Sequence, residues 1–492
     1  MPVKPTHPAV SGPSVPPADP PSSAAPAASA DALIPAEHLW PGRHSAVRIR
    51  TEIPGPRSRA LRAAEAPFLA PGTQALSQLA GLALQSGEGA RLHDVDGNTF
   101  IDWVAGIGVA SIGHGHPALA QALAAQASQL TVGSFTTAPR VALLERLAAI
   151  APHPRLHRTQ LFSGGAEAVE SALRLARCYS GRGDVLGFWG GFHGKTAGVL
   201  GLMGSEFKQG LGPLPPGSIL APYADCAHCP FGLAPTSCGL RCVDFAEQTL
   251  RMQSSSGLAA ILVEPVQGTA GNIVPPPGWL PAIADLARRH RALLIVDEMI
   301  SGLGRTGRMW GQQHEGVVGD IVTFGKGVAA GFPVSGLLSS DEIVAAKPWS
   351  QPSFSSSSFG GFPLAAAAAN AVTQVIVEER LDERAAQVGA SFLRQLSGLA
   401  SKHAIVGAVR GRGLLLAIDL VAERGSPTPL AKSLCEEIFQ RCLQRGLLTM
   451  AYSPRLRINP PLCITEAEVA EGVAILDTVL GEVSRLGSRQ AG

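Results

Sequence analysis

The chain's 492 residues, 46% hydrophobic and 16% charged, are enough to bury a sizeable core in roughly two to four domains. With 40 basic residues against 38 acidic the net charge is only +2, which argues against nucleic acid or another polyanion as partner. The sequence has no apolar run of about 18 residues and no apolar secretory core near its start, so no membrane span is expected, and a cytoplasmic location with reduced cysteines is.

Residues 1–43 are rich in Pro, Ala and Ser without apolar periodicity and read as a disordered extension, bounded at 1–45. The Arg-rich stretch 45–71 reads as a wrap over another surface. Residues 90–101, ARLHDVDGNTFI, place an Asp-Gly turn between two strand patterns, a hairpin signal. A glycine-rich loop and a helix from Pro117 follow. His114 and His116 flank one glycine in that loop, and without a nearby acid or cysteine they read as structural rather than metal-binding.

Residues 161–181 run from a short strand into Ser163, Gly164, Gly165 and Ala166, then a helix with Val169, Leu173 and Ala176 at helical spacing. Small residues at a helix N-terminus leave backbone N–H groups open to a phosphate, although any tight strand-to-helix turn looks similar. The strand at 185–189 leads to a glycine loop with Phe192, His193 and Lys195. An aromatic presented between glycines suits stacking on a flat ligand ring or packing on the core. The insert 225–244 holds Cys226, Cys229, Cys238 and Cys242. A tetrahedral thiolate zinc or iron–sulfur site is one reading, but the eight-residue gap is short for one, and a structural loop with reduced or partly paired thiols is preferred, with no metal assigned.

The buried strand 258–263 ends in Glu264, and a helix at 279–290 leads to the strand 293–297, a βαβ unit with a right-handed crossover. Its continuous apolar run is that of a strand covered on both faces of a parallel sheet, with the carboxylate of Asp297 at the rim where sites gather. The next strand, 320–324, delivers Lys326. An acid and a lysine so placed suggest a buried cation paired with Asp297 and an amine free to act as nucleophile. Those are the two groups a pyridoxal phosphate (PLP) enzyme must supply, a lysine to form the Schiff base and an acid for the pyridinium nitrogen. Beyond a strand at 334–340, a serine-glycine loop precedes a helix from Pro363; hydroxyls before a glycine pair suit a phosphate or a linker alike. From about 381 the chain alternates helices at 383–402 and 430–445 with strands at 405–410 and 414–421, and Thr465 with Glu468 forms a capping box for the last helix.

Taken together, SGGAEAVESALRLAR, GFHGKT, VEPVQG, DEMISGLGRTG, FGKG and SFGGFPLAAAAA resemble, in this order, the class III (omega-amino acid) aminotransferases of PLP fold type I, 4-aminobutyrate aminotransferases among them. The resemblance implies an α/β fold: a large domain at 113–375 with a mainly parallel seven-stranded sheet, and a smaller α+β domain from 376–492 with help from 46–112. It implies PLP as cofactor, ping-pong amino transfer from an omega-amino acid or amine to a 2-oxo acid, and a homodimer with shared sites. A PLP-dependent racemase on the same scaffold is the alternative.

By the same resemblance Lys326 is the Schiff-base lysine and proton carrier, and Asp297 the partner of the pyridine N–H. Gly165 and Ala166 bind phosphate through their N–H groups. Phe192 and Met299 cover the two ring faces, Met299 lying two residues past Asp297 and so on the same strand side. Glu264 and Gln267 stand as in the family, Ile300 replaces the common Gln of its DEVQ motif, and Ser358 takes the place of a phosphate-binding Thr given by the other subunit. Arg457 in LRINPPL matches the substrate-carboxylate arginine, with a surface arginine as the plain alternative. Lys195 stands where many members carry an Arg for the distal carboxylate of 2-oxoglutarate. Thr269 stands where glutamate-using members often carry a Glu, and Phe362 replaces the Asn of FGGNP. These departures leave Lys326 and Asp297 intact and weaken the case for 2-oxoglutarate as acceptor.

Overall fold

The computed structural model describes residues 47–490, so the Pro/Ala/Ser-rich extension expected at 1–45 lies outside the described residues. The strands are β1 (Leu84–Glu88), β2 (Arg91–Asp94), β3 (Thr99–Asp102), β4 (Arg158–Phe162), β5 (Asp184–Phe188), β6 (Ser218–Ala221) and β7 (Leu258–Val263). They continue with β8 (Leu293–Asp297), β9 (Ile321–Phe324), β10 (Ser335–Ser339), β11 (Val406–Arg412), β12 (Leu415–Leu420), β13 (Leu447–Leu448) and β14 (Arg455–Ile458).

Seven of them form the central sheet in the order β4-β10-β9-β8-β7-β5-β6. Strand β10 runs antiparallel to both neighbours, and the rest are parallel. The period-2 alternation of a strand explains why β7 and β8 read as unbroken apolar runs: each face meets its own helices. Ala260, Leu262 and Ile295 pack with Val169, Ala172 and Leu173 of the helix Gly165–Ser180. Ile261, Val263, Leu294 and Val296 pack on the opposite side with Val243, Leu250, Trp279, Ile283 and Leu286, from the helices Arg241–Gln253 and Trp279–Arg289. With both faces sealed, the C-terminal ends of β4, β5, β7, β8 and β9 open on one edge, where a parallel sheet places its ligands.

The hairpin expected at 90–101 is β2 and β3. It joins β1 and, through a parallel pairing of Ile101 and Asp102 with Leu447 and Leu448, the C-terminal part of the chain. A second small sheet is antiparallel, β11-β12-β14. The capping box of the last helix is present, with Glu468 N donating to Thr465 Oγ1 at 3.1 Å and Thr465 N to Glu468 Oε2 at 2.9 Å. Glu468 also pairs with Arg91 of β2 at 3.0 Å, which ties the N-terminal hairpin to that helix.

The GLGRTG turn after β8 is the seam between the central sheet and these smaller sheets. Arg305 is 2% exposed and donates to the carbonyls of Leu414 and Pro460, while Leu414 N returns a bond to Arg305 O at 2.9 Å. Gly413 sits in this seam at φ +56°, and a Cβ there would stand 2.3 Å from the Thr306 carbonyl carbon. Gly413→Ala therefore combines left-handed backbone strain with overpacking, for an expected loss of roughly 1–3 kcal/mol. The check is the denaturant midpoint, and an unaltered midpoint with an unaltered slope would rule out this packing.

Candidate functional site

Asp297, the last residue of β8, is 1% exposed and carries a full set of donors. Oδ1 accepts from Met299 N at 3.0 Å and from Thr323 Oγ1 of β9 at 3.2 Å. Oδ2 pairs with His193 Nδ1 at 2.7 Å. Burial alone would drive the His193 imidazole below its ordinary value, but the hydrogen bond and charge of Asp297, with Glu264 behind, hold it above. Sequence alone gives no reason to put His193 on Asp297; the only signal available is its place beside Phe192 in the glycine loop.

Lys326 follows β9 at φ +42°, a left-handed conformation that side chains seldom adopt. It is half-buried in the wall of a cavity of about 350 Å3 shared with Gly165, Ala166, Phe192, His193, Asp297 and Met299. Burial lowers its amine from the usual lysine value, against the opposing pull of Asp297 and Glu264, and the charge of Arg457 lowers it further.

The third wall is the start of the helix Gly165–Ser180. Glu167 Oε2 accepts from the N–H groups of Ser163 (3.2 Å) and Gly164 (3.4 Å), while Gly165 and Ala166, in the first turn, have no acceptor within the helix. Space here is tight: a Cβ on Gly165 would meet Met299 Sδ at 3.2 Å, and one on Gly194 would fall 2.3 Å from Ala166 Cβ. The Phe192–His193–Gly194 loop thus lies directly on the helix start. Met299 holds its place through its N–H on Asp297 and the Gly165 and Gly325 surfaces, not through strand alternation, because β8 ends at Asp297.

Other residues expected at the site stand around this cavity. Glu264 clamps two loops, accepting from Phe192 N and Gly268 N, each at 3.0 Å. Gln267 donates to Trp189 O at 2.9 Å, and Ile300 packs with Val266 and Leu415. Ser358 is exposed on the loop before the helix Pro363–Glu378. Lys195 is exposed, with its amine 5.1 Å from the Phe207 ring centroid. Arg457, half-buried on β14, lines a second cavity of about 470 Å3 with Thr269, Phe207, Met450 and Tyr452. Burial lowers the Arg457 guanidinium from its ordinary value against a hydrogen bond with Tyr452, and no carboxylate among the described residues forms an ion pair with it.

The four cysteines of the insert line a separate hollow of about 20 Å3 as free thiols; no group of three His, Cys, Asp or Glu among the described residues is arranged to hold a metal. His114 does have an acid beside it, Asp102 at 2.8 Å, and His116 Nδ1 accepts from Ala118 N to cap the helix Pro117–Ala127, so both act structurally. No helix of the described residues is long and apolar enough to cross a membrane.

The cavity therefore fits a flat, phosphate-bearing ring. It offers unsatisfied N–H groups at a helix start, an aromatic and a thioether for two faces, a buried carboxylate and an amine of lowered basicity. The family model described as Aminotransferase class-III matches residues 74–480. The chain is 34% identical over 406 residues to the acetylornithine aminotransferase of Methanothermobacter thermautotrophicus, covering 82% of this chain and 94% of that one. It is 33% identical over 455 residues to the 4-aminobutyrate aminotransferase of Mycobacterium bovis, covering 89% and 98%. An amine transaminase from an uncultivated Pseudomonas species, solved with PLP bound, superposes with a TM-score of 0.79 at 31% identity, over 84% of this chain and 98% of that one.

Because the folded His193 titrates above its unfolded value, its pairing with Asp297 stabilises the fold fully below about pH 6.5, and the contribution fades as pH rises through the folded value. His193→Asn is expected to cost about 1.5–3 kcal/mol at pH 6 and less at pH 9, measured by denaturant unfolding. A deficit independent of pH would contradict the charged pair.

Proposed function

The chain belongs to the class-III aminotransferases, and on that footing we propose how it works. It is a PLP-dependent enzyme that moves an amino group from an omega-amino acid or amine, such as 4-aminobutyrate, to a 2-oxo acid in two successive half-reactions. The observation that carries this reading is the convergence of Lys326, Asp297 and a helix N-terminus on one cavity. When bound, PLP supplies an electron sink for the pair released as a C–H bond beside the amine breaks.

The residues that would hold it are those of the cavity wall. The N–H groups of Gly165 and Ala166 suit its phosphate, Asp297 its ring nitrogen, and Phe192 and Met299 its two faces, with Lys326 as the covalent anchor. Glu264 and Gln267 act one layer out, fixing the loops that carry Phe192 and Trp189. Lys326 Nζ, moved toward its neutral form by burial, takes up the proton from the amine-bearing carbon of the donor and returns it. Arg457 forms no ion pair with a carboxylate among the described residues and binds the donor's carboxylate through paired hydrogen bonds. Acetylornithine and 4-aminobutyrate, named for the relatives, both join a primary amine to a carboxylate several carbons away. None of the relatives described favours the racemase alternative.

Ser358 lies exposed on its own chain, which supports a homodimer in which this hydroxyl completes the partner's phosphate site. All eight cysteines are unpaired, in keeping with the reducing cytoplasm.

Lys326→Ala is expected to lower turnover by at least about 10³-fold, and borohydride treatment of the parent protein should fix the cofactor on the peptide that contains residue 326. Label elsewhere would remove Lys326 from the mechanism. Arg457→Ala should weaken carboxylate-bearing donors by roughly 2–4 kcal/mol and leave simple amines almost unaffected, as read from the apparent KM of each. Equal losses for both would count against the assignment.

A further inference from the structure

The loop after β7 forms one wall of the Arg457 cavity through Thr269 and Ala270. It doubles back, with Gln267 and Ile273 exchanging backbone hydrogen bonds at 3.1 and 2.9 Å. Asn272 Nδ2 then fastens it to Leu416 O at 2.6 Å and Asn459 Oδ1 at 2.7 Å. At its tip two consecutive carbonyls each receive a guanidinium. Arg455 of β14 donates to Ala270 O at 2.7 Å, and Arg410 of β11 donates to Gly271 O at 3.1 and 2.8 Å. The fit leaves no space, since a Cβ on Gly271 would lie 2.7 Å from Arg455 Cδ and 3.0 Å from Arg410 Nη2.

Two guanidiniums converging on adjacent carbonyls repel unless each has an acid. Arg410 is paired side by side with Asp419 of β12, at 2.7 and 2.8 Å. Arg455 is paired at 2.8 Å with Asp225, the first residue of the cysteine-rich insert. His228, three residues on, stands between those acids, with Nδ1 3.3 Å from Asp225 and Nε2 3.7 Å from Asp419. The arrangement runs from His228 through Asp225, Arg455, the loop tip and Arg410 to Asp419, whose carboxylate lies within ion-pair reach of His228 but beyond hydrogen-bond length. Arg455 and Arg457 are two residues apart on β14 and share a face, so Asp225 also keeps Arg455 from competing for an anionic ligand.

We propose that His228 is a positioning residue for the substrate. By bridging Asp225 and Asp419 it locks both arginines onto the loop tip, and so holds the Thr269–Ala270 wall where a carboxylate bound to Arg457 needs it. The insert contributes to the reaction through its polar residues rather than its thiols. This rests on the reading of Arg457 as the carboxylate anchor.

The test follows the donor half-reaction of the PLP-loaded enzyme by cofactor absorbance, with 4-aminobutyrate and with butylamine, which has no carboxylate. His228→Ala should raise the half-saturating concentration of 4-aminobutyrate roughly 3- to 30-fold, with the limiting rate within about twofold and the butylamine value unchanged. His228→Gln, which keeps a donor toward one acid, should recover part of the loss. An unchanged value for 4-aminobutyrate, an equal rise for both donors, or a fall in limiting rate alone would overturn the proposal. If His228→Ala fails to hold cofactor, the same criteria applied to Asp225→Asn decide. A parent enzyme inert toward both donors would instead sink the reading of 4-aminobutyrate-type donors on which the role of Arg457 rests.

Discussion

A carboxylate taken almost wholly out of water is tolerated only if its lone pairs are filled, and around Asp297 that requirement organises the site. One donor comes from the turn that follows, one from the neighbouring strand β9, and one from the glycine loop after β5. Each donor fixes a different segment: Met299 N places the thioether, Thr323 locks the strand that delivers Lys326, and His193 brings Phe192 over the cavity. The sheet supplies the rim, and the buried charge draws the loops to it.

Much of this was legible in the sequence because period and punctuation agree there. The apolar runs of β7 and β8 have the pattern of strands covered on both faces, which puts their terminal acids at the edge. The small residues at 164–166 signalled a helix start with open N–H groups, and the tight approaches at Gly165 and Gly194 show how closely Met299 and the facing loop lie on it. What stayed hidden depends on pairings between distant segments. His193 is one histidine among 13 until a fold places it 2.7 Å from Asp297. The second acid of the DE pair, Glu298, turns inward to accept from Gly311 and Gln312 and fastens a loop. Lys195 was assigned by resemblance, and its exposed amine rests over Phe207 instead of lining the Lys326 cavity. Cysteine spacing draws attention to the insert, whereas its ionic contacts with Arg455 and Asp419 run through Asp225 and His228, which no motif singles out.

The smaller sheets contribute chemistry as well as cover. Strand β14 carries Arg457, and its register against β12 sets Ala417 opposite that arginine and Asp419 opposite Arg455. The GLGRTG turn and Gly413 hold these strands against the central sheet with almost no slack, which ties the strand carrying Arg457 to the sheet whose strand β9 delivers Lys326.

The reversed strand β10 has a further effect. Because it runs against its neighbours, it begins at the same edge where β9 ends, and the chain from Gly327 to Ser335 spans the cavity as a short collar fixed at both feet. Ser111 Oγ grips Gly327 O at 2.6 Å, and Ser335 Oγ grips Gly164 O at 2.8 Å. Between those feet Gly331, Phe332, Pro333 and Val334 face the cavity. That span is both wall and core: Val334 is buried and Phe332 packs on Phe362, so the shape of the cavity's entrance is tied to the packing beneath it.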